Sequence, residues 1–173
     1  MVAAQAPRPQ ENSKVIVFSG RHALLAELSS GQKRLSDVVN DPMHKHFLLE
    51  QVKINNADKL EETVAEYERI TIKREAVQAI LVMSEPSRPP QQRISNFVPK
   101  NAVRIAILLP SLHIEGSIFL NGKLDPADFV LDGSDSFAVV SNAQVMLTSR
   151  RGNPLPVPTA LINRTHIEMA TLL

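Results

Sequence analysis

The sequence predicts a mainly β fold, two tandem copies of a small five-stranded, partly open barrel, each with a short helical turn. Three observations carry this expectation. Branched apolar runs recur between glycine-bearing turns, a pattern that suits pleated strands. The stretch SEPSRPPQQRISNFVPKN, residues 84–101, places four prolines where neither a helix nor a ladder can continue. The flanks on either side of it echo one another in register.

At a shift of 91, His22 answers His113, Gly31 answers Gly122, Asp37 answers Asp128, Val39 answers Val130 and Asp41 answers Asp132. One residue then drops out. At a shift of 90, Phe47 answers Phe137, Ile72 answers Ile162, Arg74 answers Arg164 and Val77 answers Ile167. A register held across a whole module with one slip indicates duplication. The competing reading is that apolar alternation and glycine turns are common to all β proteins.

Residues 1–13 are polar, carry two prolines and show no periodic apolar face, so a disordered tail is expected there. The first module then spans 14–83, the linker 84–101 and the second module 102–173. Val15 to Phe18 and Ala23 to Leu28 match Ile105 to Leu109 and Ile114 to Leu120, a strand pair leading to a glycine turn. Leu35 to Val39 and Pro126 to Leu131 read as single helical turns, the second with Asp125 as cap and Pro126 at the first position. A third strand is expected at Phe47 to Ile54 and Phe137 to Leu147. Ala57 to Glu68 has helical propensity, with Leu60, Val64 and Tyr67 on one face. Its counterpart, Ser149 to Thr159, holds Gly152 and prolines at 154, 156 and 158, which suits a turn with an edge strand. A hairpin is therefore expected in both copies, with room for a helical turn at the first tip. A last strand, Ile70 to Met83 and Leu161 to Leu173, closes each module.

The totals narrow the function. A hydrophobic content of 43% with 21% charged residues belongs to a folding chain, and a net charge of +1 provides no global field for phosphate backbones. Cysteine is absent, which removes disulfides, thiolate metal sites and cysteine nucleophiles and fits a reducing compartment. The start lacks the cationic and apolar pattern of a secretory signal, and no window approaches the roughly 20 apolar residues of a membrane span. A cytoplasmic protein with no membrane contact is the expectation. Six Phe, one Tyr and no Trp leave few platforms for stacked bases.

About five short strands in roughly 70 residues is a size at which barrel closure removes exposed edges. Here the residues resemble a family. Ile72-Lys73-Arg74-Glu75-Ala76-Val77 and Ile162-Asn163-Arg164-Thr165-His166-Ile167 are similar to the second signature of Sm-like proteins, an apolar residue, Arg-Gly, then an alternating strand. Asp37 to Asn40 followed by Phe47-Leu48-Leu49 resembles the first. Residues 31–40, GQKRLSDVVN, also look like a small bacterial domain of uncharacterised function. The resemblance implies an RNA site at Asn40, Arg74 and Arg164, and modules that join edge to edge. The chain departs from the pattern where Glu75 and Thr165 replace the glycine, where Asn40 sits one residue close to Asp37, and where Leu131 stands in place of the second Asn.

Candidate chemistry is sparse. Arg74 and Arg164 occupy equivalent positions, and their forks suit a phosphate, a carboxylate or a plain strand-end ion pair. His22 and His113 could supply two imidazoles to one site or simply flank turns. His44-Lys45-His46 puts two imidazoles on one side of an extended chain, a solvated pair unless other ligands join them. Glu61, Glu62, Glu66 and Glu68 lie on one hairpin and Arg150 and Arg151 on the other, which suits either head-to-tail contact or solvated loops. There is no nucleophile elbow, phosphate loop, dinucleotide fingerprint or metalloprotease helix, and no cofactor, metal or small-molecule substrate is implied. The resulting expectation is a non-catalytic module for protein–protein interaction or assembly, binding a protein partner or a second copy through its strand edges. The alternative is Sm-like RNA binding through Arg74, Arg164, Asn40, Lys73 and Arg34.

Overall fold

The computed structural model describes residues 12–31, 33–86, 101–120, 125–149 and 152–173. Most of the expected tail and linker, together with Gly122, Arg150 and Arg151, lie outside them. The described chain is mainly β. Its elements are β1 (Ser13–Ser19), β2 (His22–Leu28), α1 (Leu35–Asn40), β3 (His46–Asn56), β4 (Lys59–Lys73), a 3-10 turn (Arg74–Ala76) and β5 (Ala79–Ser84). They are followed by β6 (Asn101–Leu108), β7 (Leu112–Leu120), α2 (Pro126–Asp132), β8 (Phe137–Leu147), β9 (Leu155–Asn163), a second 3-10 turn (Arg164–His166) and β10 (Met169–Leu172). All strands join one open antiparallel sheet in the order β10-β6-β7-β8-β9-β5-β1-β2-β3-β4.

Local chemistry explains several of these elements. Gly20, at φ 57°, takes the left-handed place in the two-residue β1–β2 turn. The Asp125 carboxylate accepts from the backbone N–H of Ala127 and Asp128 at 2.8 and 3.3 Å, with Pro126 at the start of α2. Lys59 to Glu68 is strand, as the second copy implied. Only Ala57 and Asp58 turn between β3 and β4, with no helical turn at the tip. Cross-strand pairing with β3 overrides the helical propensity of this segment, and Lys53–Glu66 and Arg69–Glu50 bridge the two strands at 3.3 and 2.9 Å.

Two expected elements need correction. The last strand of each module is two strands, because the chain breaks at Arg74–Ala76 and again at Arg164–His166. The break lets β4 stay with β3 while β5 returns to β1. As expected, β9 is an edge strand at its start, but only as far as Pro158. It pairs with β8 along its length and, from Thr159 onward, with β5. Pro156 and Pro158 fall in the part that β5 does not reach, where β9 pairs with β8 alone.

The sheet also gives the register of the repeat. Val15↔Ala26 is answered by Ile105↔Gly116, and Val15↔Val82 by Ile105↔Leu172, a shift of 90. The β3 strand is answered by β8 at 91, since Leu25↔Lys53 matches Glu115↔Gln144 and Phe47↔Ile72 matches Ala138↔Ile162. The bulge residues Gln51 and Asn142, both at φ 50°, keep the same offset. His22 therefore corresponds to Leu112 and not to His113. Phe47 corresponds to Ala138, while Phe137 stands where the first copy has His46.

Two apolar clusters form the core, and each draws on both copies. One holds Val15, Val17, Leu24, Leu35, Val39, Phe47, Leu49, Ile80 and Val82 of the first copy with Phe137 and Leu161 of the second. The other holds the Ile105, Ile107, Ile114, Ile118 and Ile162 set with Ile16, Phe18, Ala79 and Leu81 of the first copy. Alternate side chains of β1 and β5 thus enter different clusters, so both faces of these strands are dry.

Candidate functional site

The chemistry-bearing side chains gather where the two copies meet. Phe137, fully buried at the start of β8, enters the first copy's cluster and meets Phe47 edge to face at 6.1 Å. The Arg74 guanidinium lies over the Phe137 ring at 5.6 Å. The Asn40 side-chain amide donates to the Phe137 carbonyl at 3.1 Å and accepts the Phe137 N–H at 2.8 Å, standing in for a strand on the side away from β9, where β7 does not reach.

Along the junction β5 pairs with β9, from Ala79↔Ile162 to Val82↔Thr159. Two buried polar residues extend it. The Asn163 N–H donates to the Gln78 carbonyl at 2.9 Å, and the Asn163 side chain donates to the Val77 carbonyl at 2.8 Å. The Ser111 hydroxyl donates to the Gln78 side-chain oxygen at 2.7 Å. His166 Nε2 lies 2.8 Å from the Glu75 carbonyl oxygen, and at the far end Ser149 bonds to Asp58 between the hairpin tips. That last contact brings the two hairpins together within one chain.

The paired arginines are largely engaged with the backbone. Arg74 Nη1 donates to the Asp41 and His44 carbonyls at 2.7 and 3.2 Å, which ties the α1–β3 loop to the 3-10 turn. Arg164 does the same in the second copy, with Nε donating to the Asp135 carbonyl at 2.7 Å and Nη1 to those of Phe129 and Val130. Burial pushes the Arg164 pKa down, while Asp135 and Asp132 act in the opposite direction. Asp41 titrates below its ordinary value, chiefly because its carboxylate accepts the Met43 N–H at 3.0 Å, with His44 at 3.3 Å and Lys33 at 3.9 Å adding to the effect.

The five residues expected to bind do not form one site. Arg74 and Lys73 line an open cavity of about 380 Å³ with Lys45, His46, Glu75, Ser136, Asn163 and Thr165. Lys73 lies 3.7 Å from Glu75. Asn40 opens instead onto a groove bearing Asp37, Asp41 and Asp135. Arg164 sits behind the α2–β8 loop, and Arg34 is exposed ahead of α1. Among the described residues, no cluster of three His, Cys, Asp or Glu could hold a metal ion. No helix there is long and apolar enough to cross a membrane.

Sequence reasoning did not single out Phe137, Leu161, Gln78 or Asn163 as junction residues. The signal was present in the differences between the copies. Once the register is known, Phe137 and Leu161 stand where the first copy has His46 and Thr71, an apolar pair in place of a polar one. The chain matches no family model, no curated protein and no solved structure.

Proposed function

We propose that this chain is a non-catalytic assembly protein whose repeats, each a small partly open Sm-like barrel, join through strand edges, with a second copy as the first partner. One observation carries the reading. The β5–β9 junction already joins one repeat to the next, and it leaves their counterparts β10 and β4 as the two ends of the sheet. The strand order β5-β1-β2-β3-β4 recurs as β10-β6-β7-β8-β9, which supports treating the copies as like units. Repeating the junction between chains sets Met169 opposite Ile72, Ala170 opposite Thr71, Thr171 opposite Ile70 and Leu172 opposite Arg69. Such a contact is heterologous, so it builds rings when its rotation closes and open chains when it does not. The absence of cysteine suits a cytoplasmic setting.

A second reading, RNA binding, is favoured by the grouping of Lys45, Lys73, Arg74 and His46 around one open cavity. Size-exclusion chromatography with light scattering, monitored at 260 and 280 nm, separates the two. Assembly gives a defined multiple of 19.1 kDa without a nucleic-acid signal. A 260 nm peak that travels with the protein and leaves in high salt supports RNA. A bare monomer at every concentration tested removes the assembly reading.

A further inference from the structure

The register of the repeat specifies what the contact between chains would be made of, and it is chemically unlike the contact within the chain. Every residue at the inner junction has a counterpart at the outer ends. Gln78 corresponds to Glu168, since Gln78 N–H donates to the Phe18 carbonyl at 2.8 Å and Glu168 N–H to the Leu108 carbonyl at 2.9 Å. Ser111 corresponds to Arg21, since Thr148 N–H donates to the Ser111 carbonyl at 3.1 Å and Ala57 N–H to the Arg21 carbonyl at 2.8 Å. Asn163 corresponds to Lys73 on β9 and β4. The apolar anchors Phe137 and Leu161 correspond to His46 and Thr71, both exposed. Their receiving residues Asn40 and Phe47 correspond to Leu131 and Ala138.

Resting on the assembly reading, we infer that the outer junction is a charged, reversible version of the inner one, held by Glu168 of one chain against Arg21 and Lys73 of the next. Where the inner junction holds a neutral, half-buried Ser111–Gln78 hydrogen bond, the outer one opposes a carboxylate to a guanidinium. Where Asn163 donates to the Gln78 carbonyl, the outer junction brings Lys73 beside Glu168, drawing it away from Glu75. Arg21, Lys73, Glu75 and Glu168 are all exposed in the isolated chain, so pairing them desolvates little and charge complementarity selects the partner edge. Without an aromatic anchor, the contact depends on ionic strength as the inner one does not.

Charge exchange tests this on the full chain. Self-association would be measured by analytical ultracentrifugation in low and high salt, with circular dichroism confirming that each variant folds. The wild-type dissociation constant should rise about tenfold on going from low to high salt. Arg21→Glu and Glu168→Arg alone should each weaken association by about tenfold or more, and the double variant should bind at least about threefold more tightly than either single variant, with Lys73 still opposing the exchanged cation. Lys73→Glu should weaken it in the same direction, and His46→Phe should tighten it by restoring the aromatic anchor. A chain that self-associates but ignores these exchanges overturns the charged junction and leaves assembly standing. A chain that stays monomeric in low salt, both as wild type and as His46→Phe, overturns the assembly itself.

Discussion

Arg164 shows how one side chain can fix a loop. Its bonds to the carbonyls of Phe129, Val130 and Asp135 satisfy backbone groups that the end of α2 leaves open. Gly133 packs where any Cβ would overlap the guanidinium and the Phe129 carbonyl oxygen. Arg164→Ala should cost about 2–3 kcal/mol, read as a lower urea midpoint at unchanged m-value, because it leaves half-buried acceptors without a donor. Phe137 and His46 make a sharper pair, being the same position in the two copies. Phe137→Ala should cost about 3–4 kcal/mol, while His46→Ala should change stability by less than about 0.5 kcal/mol. Asp41 has a folded pKa below its unfolded one, so its contribution is complete above the unfolded value and disappears as pH falls through the folded one. Asp41→Asn should therefore reduce the loss of stability on acidification below about pH 4, in thermal melts compared across pH. The arginines were legible in the sequence as an equivalent pair. Their partners were not, because backbone carbonyls leave no mark in a side-chain pattern.

At the scale of elements, the strands and helical turns of the first copy could be read because branched residues and glycine set local geometry strongly. The β3–β4 hairpin is instructive. Lys59 to Glu68 favours a helix residue by residue, and the prolines of its counterpart argued correctly for a strand. The breaks at Arg74–Ala76 and Arg164–His166 were missed because apolar alternation continues on both sides, from Ile70 and Ile72 to Ile80 and Val82. The sequence suggests one slip between Asp41 and Phe47, but the ladder has none there and two compensating slips elsewhere, one before α2 and one between β8 and β9. Each displaced the apparent matches by one residue, which paired His22 with His113 and Phe47 with Phe137. A one-residue error moves a strand residue to the other face, so the contrast between Phe137 and His46 could not be seen until the ladder was known.

For the whole molecule, the interleaved clusters decide how the halves depend on each other. Because Ile16, Phe18, Ala79 and Leu81 of the first copy cover one cluster, and Phe137 and Leu161 of the second complete the other, neither half keeps a closed core when separated. A fragment of residues 101–173 would uncover Phe137 and Leu161. It should self-associate in light scattering, and Leu161→Arg should suppress that association. The intact chain should unfold in one transition, with fluorescence and circular dichroism probes coinciding in urea.

The same junction bears on how many chains share one fold. The β5–β9 ladder is satisfied equally whether β9 comes from its own chain or from a neighbour, since every hydrogen bond and buried face would be the same. The covalent link between β5 and β6 favours the intrachain choice, through the high local concentration that a tether provides. Shortening that link should convert the chain into an exchanged dimer at unchanged secondary structure, with Phe137 of each chain seated against Phe47 of the other.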